Sequence, residues 1–181
     1  MIKLVGIGGS LRRNSYNLGL LRAAAELMPQ GAALEVHSIV GVPLYDADGE
    51  EADGIPPSVT ALKEALAGAD GLVLATPEYN NGIPGVLKNA IDWMSRPPAD
   101  IGRVFGGKAV TLVGASPGAF GTILAQDAWL GVLRTLGTRP WFGQKLLVSR
   151  AGALFDANGN LTDEKSREQL RGYLAAFVAA L

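Results

Sequence analysis

A polar, glycine-containing stretch near the start of the chain carries the residue types that bind a phosphate group. It follows an apolar run, Ile2–Ile7, and leads into a helical pattern that begins near Asn17. In a strand–loop–helix arrangement, backbone N–H groups and the helix N-terminus converge on an anion. Serine and asparagine add neutral donors, and arginine adds a positive fork that suits phosphate oxygens. The candidate phosphate ligands are Ser10, Arg12, Ser15 and Asn17.

This stretch, which we name the phosphate loop (residues 9–17), differs from other phosphate-binding loops. A Walker A loop ends in Gly-Lys-Ser or Gly-Lys-Thr, and neither is present. A dinucleotide fingerprint starting at Gly6 would need glycine where Leu11 stands, and an acidic residue where Ser38 and Ile39 stand. A flavodoxin-type loop alternates threonine or serine with glycine and lacks the two arginines. An ordinary β–α turn with surface arginines stays open as the alternative.

A second polar segment, the ring loop (residues 76–85), follows an apolar run typical of a buried central strand. Pro77 and Pro84 stiffen its ends, and Gly82 and Gly85 allow the backbone to approach a ligand closely. Between them lie one carboxylate, one phenol and two amides, which suit the edge of a planar heterocycle: Glu78, Tyr79, Asn80 and Asn81. A phosphate loop and a heterocycle rim together describe a mononucleotide site. A turn rich in proline, asparagine and glycine is the alternative.

The loops lie between predicted strands and helices, which alternate along the whole chain. The predicted strands are Ile2–Ile7, Ala33–Val40, Gly71–Thr76, Ala109–Ala115 and Trp141–Val148. The predicted helices are Asn17–Met28, Ser58–Leu66 with Ser58 as N-cap, Pro84–Met94, Thr122–Leu136 and one from Asp163 onward. The acidic segment Val42–Pro57 is predicted to be a solvated loop. The alternation predicts an α/β fold whose parallel sheet is covered on both faces.

Ligands of such sheets lie beyond the carboxyl ends of the strands. The phosphate loop, the ring loop and a third loop, Ser116–Gly121, are therefore expected to face the same ligand. By itself the third loop is equally typical of an ordinary turn.

Composition restricts the chemistry further. A chain of 181 residues predicts one domain over residues 1–181, and 16 basic against 17 acidic residues give no nucleic-acid signal. The absence of cysteine excludes disulfides, thiol nucleophiles and iron–sulfur clusters and fits a reducing cytosol. The single histidine, His37, cannot build a histidine-rich metal site and is interpreted as structural. Without a signal peptide or membrane-length apolar run, the expected location is cytoplasmic.

The sequence resembles the NAD(P)H-dependent FMN reductase family, which includes bacterial chromate, quinone and azo-dye reductases. The similarity is carried by Gly-Ser-Leu-Arg-Arg-Asn-Ser-Tyr-Asn at 9–17, Pro-Leu-Tyr-Asp at 43–46, Ala-Asp-Gly at 69–71, Thr-Pro-Glu-Tyr-Asn-Asn-Gly-Ile-Pro-Gly-Val-Leu-Lys-Asn-Ala-Ile-Asp-Trp at 76–93 and Gly-Lys at 107–108. It implies a flavodoxin-like three-layer sandwich with a five-stranded parallel sheet. It also implies non-covalent FMN, NADPH or NADH as electron donor, and homodimers that often pair into tetramers.

The resemblance also implies which residues contact FMN, with the phosphate in the phosphate loop and the isoalloxazine against the ring loop and third loop. The implied contacts are Ser10, Leu11, Arg12, Ser15, Tyr16, Asn17, Pro77, Glu78, Tyr79, Asn80, Asn81, Gly82, Ser116 and Gly118. The flavin would carry the chemistry, passing hydride from the nicotinamide to quinones, chromate, azo compounds or free flavin by a ping-pong mechanism. We assign no catalytic acid or base and interpret Glu78 and Tyr79 as shaping the ring pocket.

Two other functions remain open at this point. An electron-carrier flavoprotein shares the cofactor, although such carriers are usually strongly acidic and this chain has a net charge of −1. An FMN-sensing module without turnover is the other. A response-regulator receiver is disfavoured, because Thr76-Pro77 and Gly8-Gly9 stand where that fold needs acidic residues.

Surplus apolar surface on two helices predicts a homodimer. On the helix over Thr122–Leu136, apolar residues that include Trp129 cover roughly 200° at about 100° per residue. Packing against one side of a sheet requires only about half of that arc. The helix over Pro84–Met94 shows a similar excess. A contiguous apolar patch of this kind is expected to pair about a two-fold axis.

Overall fold

A parallel sheet runs through the computed structural model, which describes residues 1–181. The strands are β1 (Ile2–Gly8), β2 (Ala32–Ser38), β3 (Gly71–Ala75), β4 (Ala109–Ala115), β5 (Arg139–Pro140) and β6 (Leu146–Val148). The helices are α1 (Tyr16–Glu26), α2 (Ala47–Asp53), α3 (Pro57–Ala67), α4 (Gly85–Met94), α5 (Ile101–Val104), α6 (Ile123–Thr135) and α7 (Glu164–Ala179). The strand order is β2-β1-β3-β4, and β5 and β6 both pair with the outer edge of β4. None of the helices has the length and apolarity that a membrane crossing requires.

Two hydrophobic clusters sandwich this sheet, which confirms the predicted α/β architecture. One cluster joins α1 and α7 to one face, and the other joins α3, α4 and α6 to the opposite face. Every residue of β3 is buried, as its unbroken apolar sequence predicts for a central parallel strand. Gly8 pairs with Ala75, and Ala75 pairs with Val113, so β1, β3 and β4 end at the same level. The three loops that follow them therefore meet at one edge.

The acidic segment is not the loop that its composition predicts. Ala47–Asp53 forms α2, because Asp46 caps the helix by accepting a hydrogen bond from Asp48 N at 3.1 Å. Acidic residues in the first turn oppose the helix dipole favourably. The prediction of Ser58 as an N-cap is also wrong. Pro56 holds that position without a side-chain bond, and the Ser58 hydroxyl donates to Gly41 O at 2.9 Å.

The last predicted strand is divided in two. Only Leu146–Val148 of the predicted Trp141–Val148 pairs as a strand, and a short pairing at Arg139–Pro140 precedes it. Residues 141–145 leave the sheet between these two pairings. The fifth position of the sheet is thus filled by β5 and β6 in turn.

Trp129 belongs to the core of the chain rather than to a dimer contact. Its side chain is fully buried, and Nε1 donates to Thr76 Oγ1 at 3.0 Å. Part of the apolar excess predicted for the helix over Pro84–Met94 also belongs to the core, because Ala90 and Met94 are fully buried. The apolar arc of α6 is wide because one part packs on the sheet, while Ile123 and Leu124 at its start remain exposed.

Candidate functional site

The phosphate loop leaves donors available at the start of α1. Ser15 caps this helix by accepting from Leu18 N at 3.3 Å, and Ser10 Oγ accepts from Arg12 N at 3.2 Å. Both serines are buried, and both keep a hydroxyl hydrogen to donate. The first two helical N–H groups, those of Tyr16 and Asn17, have no acceptor in the chain. Converging N–H and O–H donors at a helix N-terminus form a site for an anion.

Arg12 belongs to the same loop and has no counter-charge within the chain. No carboxylate lies within ion-pair distance of its guanidinium, whose central carbon is 5.6 Å from the centre of the Tyr16 ring. Tyr16 in turn packs on Phe155, with ring centres 4.9 Å apart. The neighbouring Leu11 is half exposed. Arg12 is therefore positioned over an aromatic ring and remains free to bind an anion.

Asn17 has a structural task that its sequence position does not reveal. Its Nδ2 donates to Ala115 O and its Oδ1 accepts from Ala115 N, each at 2.9 Å. This buried pair of bonds joins the start of α1 to the end of β4. What Asn17 can offer an anion most directly is its backbone N–H rather than its amide side chain.

The ring loop forms a two-residue turn between Tyr79 and Gly82. These residues exchange backbone hydrogen bonds of 3.2 and 3.1 Å, and Asn80 and Asn81 adopt positive φ angles of 50° and 61°. Consecutive positive φ values define a type I′ turn, and asparagine tolerates that region better than most residues. The Tyr79 ring and both asparagine side chains are exposed, and none of the three makes a hydrogen bond within the chain. A flat ring and two free amides thus face outward.

Glu78 turns away from this exposed surface and joins the ring loop to α6. Its Oε2 accepts from Leu124 N at 2.9 Å and from Ala125 N at 3.0 Å, which are unpaired donors of the first turn of α6. The helix has no side-chain cap of its own, so Glu78 supplies one from another loop. Its interpretation as a residue that shapes the pocket is consistent with this geometry.

Glycine allows the phosphate loop and the ring loop to touch. A Cβ atom on Gly9 would lie 2.5 Å from Leu87 and 2.9 Å from Pro77, distances that no side chain can occupy. Gly9 N also donates to Ala75 O at 2.9 Å. Pro77 is itself buried at this contact, so it packs the two loops together.

A fourth segment, which sequence analysis missed, supports the third loop. Arg150 N donates to Gly118 O at 2.9 Å, and Ala151 N donates to Ser116 O at 3.0 Å. Arg150 adopts a positive φ of 51° and its side chain is exposed. The position of Arg150 directly after the last strand was the available signal, because that strand also ends at this edge of the sheet. The Ser116 hydroxyl is used internally, donating to Gly121 O.

The residues present fit FMN. The phosphate loop offers only neutral or positive donors, which matches a phosphate group. Next to it, the ring loop offers an exposed phenol and two amides, which match a heterocycle with donors and acceptors at its edge. Three connections hold these segments: the phosphate and ring loops meet at Gly9, Asn17 joins the phosphate loop to β4, and Glu78 joins the ring loop to α6.

Comparison with known proteins agrees with this geometry. A family model described as NADPH-dependent FMN reductase matches residues 2–153. An NAD(P)H-dependent FMN reductase of Pseudomonas aeruginosa is 45% identical over 175 residues, covering 97% of this chain and 92% of that protein. A 2-hydroxy-1,4-benzoquinone reductase of a Burkholderia species is 38% identical over 98% of this chain and 95% of its own. The structure of a flavoenzyme NAD(P)H:acceptor oxidoreductase from Paracoccus denitrificans superposes with a TM-score of 0.85 at 32% identity, covering 99% of this chain and 96% of that chain.

Proposed function

Because this chain belongs to the NADPH-dependent FMN reductase family and is an FMN-dependent NAD(P)H oxidoreductase, we propose that its electron acceptors are quinones. The observation that carries this proposal is the exposed surface of the ring loop, where Tyr79, Asn80 and Asn81 make no side-chain hydrogen bond within the chain, beside the free donors at the start of α1. Relatives named as quinone reductases support the acceptor class: the Burkholderia protein and an Escherichia coli protein that is 36% identical over 97% of this chain. Chromate, azo compounds and free flavin should be assayed beside quinones as alternative electron acceptors.

The chain's own contribution is to bind and position. We propose that Ser10, Arg12 and Ser15, with the N–H groups of α1, hold the phosphate. Tyr79, Asn80 and Asn81 contact the heterocycle. The other residues predicted to lie near the heterocycle are Pro77, Glu78, Gly82, Ser116 and Gly118. Bound FMN supplies the hydride-accepting and hydride-donating atom, N5, which no amino-acid side chain provides. We assign no side chain to proton transfer.

Spectroscopy of the purified protein tests the cofactor and the activity separately. Flavin absorption bands should appear on purification or reconstitution, and acid should release free FMN. Titration with NADPH and NADH without oxygen should bleach these bands, and a quinone should restore them. A protein that binds FMN but does not oxidise NADPH with a quinone would be an electron carrier or an FMN sensor. Preference for FAD, or failure to bind FMN, would contradict the site itself.

We propose a ping-pong order, in which the nicotinamide and the electron acceptor would use the same exposed face of bound FMN in turn. Double-reciprocal plots at several quinone concentrations should then be parallel. Intersecting lines would mean that both substrates occupy the protein together and would disprove the shared face.

We also propose a homodimer, with a dimer of dimers as its larger form, in a cytoplasmic protein of one domain over residues 1–181. Most of the large exposed hydrophobic side chains follow the carboxyl ends of strands: Leu11, Val40, Leu44, Tyr45, Tyr79, Phe120, Ile123 and Leu124. Light scattering should give twice or four times the mass of one chain, and Leu44→Glu should weaken the association. Leu181→Glu, at an exposed leucine of the carboxyl terminus, is the matched control. A wild-type protein that stays monomeric with FMN bound would contradict this proposal.

A further inference from the structure

A turn late in the chain packs against the phosphate loop and the start of α1. It spans residues 156–160, and we name it the docking turn. The Asn14 side chain in the phosphate loop donates from Nδ2 to Ala157 O at 2.8 Å, across 143 positions of sequence. The docking turn lies beyond residues 2–153, which match the family model, and it contains none of the predicted FMN contacts. The motifs that indicate FMN therefore leave this contact unexplained.

The docking turn approaches α1 and the phosphate loop through glycines. A Cβ atom on Gly19 of α1 would lie 1.7 Å from Gly159 O, and one on Gly159 would lie 2.8 Å from Asn14 O. Glycine is normally unfavourable inside a helix, and at position 19 it permits this close approach. Gly159 also has a positive φ of 76°, which few other residues adopt. The docking turn is thus in direct backbone contact with both segments.

Arg22 of α1 fastens the docking turn with three hydrogen bonds. Its Nη2 donates to Gly159 O at 3.0 Å and to Asn160 Oδ1 at 2.9 Å, and its Nε donates to the same Oδ1 at 3.2 Å. No carboxylate lies within ion-pair distance of this guanidinium. In contrast to Arg12, the Arg22 side chain is engaged with the docking turn, so we do not count it as a phosphate ligand.

Asp156 fixes the shape of the docking turn from within. Its Oδ1 accepts from Asn158 N at 2.9 Å and from Asn160 N at 2.8 Å, and its Oδ2 accepts from Asn160 Nδ2 at 3.1 Å. Gly159 N closes the turn by donating to Asp156 O at 2.9 Å. The hydrogen bonds from Asn160 in particular lower the pKa of Asp156, so its carboxylate is ionised near neutral pH and accepts all three bonds.

The segment that carries the docking turn holds the phosphate loop on both sides of Ser15. Before Ser15, Asn14 bonds to the docking turn. After it, the Tyr16 ring packs on Phe155, the residue that directly precedes the turn, with ring centres 4.9 Å apart. The Arg12 guanidinium in turn lies over the Tyr16 ring. The positions of the candidate phosphate donors therefore depend on a segment that supplies none of them.

We propose that the docking turn positions the phosphate loop for the phosphate group of FMN, with Asp156 and Asn160 as positioning residues. This inference rests on the proposed binding of the FMN phosphate by the phosphate loop. Asp156 sets the shape of the turn, Asn160 links it to Arg22, and Ala157 O holds Asn14. A loop whose donors already converge loses less conformational freedom when the phosphate binds, which strengthens binding.

Flavin fluorescence titration of the FMN-free protein tests the proposal with two ligands. Asp156→Ala should weaken FMN binding roughly three- to tenfold, whereas the affinity for riboflavin, which lacks the phosphate, should change less than about twofold. Asp156→Asn keeps one acceptor oxygen and should recover most of the FMN affinity. Asn160→Ala removes the link to Arg22 and carries the same expectation as Asp156→Ala. It provides the test if Asp156→Ala does not fold, which thermal melts of each variant check.

Asp163→Ala is the matched control in the neighbouring segment. Asp163 also accepts two hydrogen bonds, from Ser166 N at 2.8 Å and from the Ser166 hydroxyl at 2.7 Å, but it caps α7 and makes no hydrogen bond to the phosphate loop. This control should lower the Tm and leave the ratio of the FMN and riboflavin affinities unchanged.

A double-mutant cycle tests whether the docking turn acts through the phosphate loop. Asn14→Ala removes the bond to the turn from the opposite side. If Asp156 acts through this contact, the losses of FMN affinity in Asn14→Ala and Asp156→Ala should not add in the double variant. Fully additive losses would contradict that route.

Three further results would overturn the proposal. One is unchanged FMN affinity in folded Asp156→Ala and Asn160→Ala variants. Another is an equal loss of FMN and riboflavin affinity, which would show general damage to the fold. The third is a change in the affinity ratio of Asp163→Ala as large as that of Asp156→Ala. A wild-type protein that binds FMN and riboflavin equally well would instead contradict the phosphate site itself, and the positioning role with it.

Discussion

The segment around α2 and the two site loops are all rich in polar side chains, but these side chains are paired around α2 and unpaired in the loops. Around α2, the polar side chains pair with one another: Glu50 accepts from Arg96 Nε at 2.8 Å and from the Tyr45 hydroxyl at 3.0 Å. Asn89 donates to Pro43 O at 2.8 Å and accepts from Tyr45 N at 2.9 Å. In the phosphate loop and ring loop, by contrast, the side chains of Arg12, Asn80 and Asn81 make no hydrogen bond or ion pair within the chain, although Arg12 lies over the Tyr16 ring.

We infer from this difference that the binding site is marked by polar side chains that have no partner within the chain. Within the candidate site the same division recurs. Asn17 and Glu78 face inward and hold the loops together, whereas Arg12 and Tyr79 face outward. Substitutions of the inward set should lower stability and binding together, and those of the outward set should lower binding alone.

The largest effect is expected for Asn17→Ala. The variant leaves the buried N–H and C=O of Ala115 without partners, which should lower the free energy of unfolding by on the order of 3 kcal/mol. Denaturant unfolding measures this loss. Asn14→Ala removes one exposed bond to Ala157 O and should cost less than about 1 kcal/mol. Equal losses in the two variants would show that Asn17 does not hold the loops together.

Arg12→Ala tests one of the outward-facing residues. The free energy of unfolding should be unchanged in this variant. Removing a charge-assisted contact worth about 1.5–3 kcal/mol should weaken FMN binding roughly tenfold to a hundredfold. Riboflavin, which lacks the phosphate, should bind the wild type and the variant equally. The affinities follow from fluorescence titration. A variant that holds FMN as tightly as the wild type would remove Arg12 from the phosphate site.

Glu78→Ala should lower stability by about 1–2 kcal/mol, because two N–H groups at the start of α6 lose their acceptor. FMN binding should weaken at the same time as the ring loop shifts. Glu78→Gln keeps an acceptor oxygen and should retain most of the stability. If the glutamine variant is as unstable as the alanine variant, charge rather than the hydrogen bonds joins the loops.

The smallest effect is expected for Glu50→Gln in the segment around α2, and its effect on Tm should depend on pH. The hydrogen bond from Arg96 lowers the pKa of Glu50 below its ordinary value. A carboxyl group with a depressed folded-state pKa stabilises the fold above its unfolded pKa, and this contribution is lost as the pH falls through the folded value. The difference in Tm between wild type and Glu50→Gln should thus be full near pH 7 and shrink below about pH 4.3. Glu51→Gln, at an exposed residue without an ion pair, should show no such trend.

Local patterns in the amino-acid sequence are enough to predict the parallel sheet and the positions of its loops. Continuous apolar runs such as Gly71–Thr76 indicate strands buried on both faces, and this signal lies within a few neighbouring residues. The order of strands and helices then places three polar loops at one edge, because parallel strands all end there. The resemblance to FMN reductases adds the cofactor.

Which polar and aromatic residues turn inward depends on partners that are far away in the sequence. Asn17 bonds to a residue 98 positions away, Glu78 to residues 46 and 47 positions away, and Trp129 to one 53 positions away. The exit of residues 141–145 from the sheet likewise depends on which parts of β4 find partners. Periodicity and turn signals describe local geometry, whereas these contacts exist only after distant segments have packed together.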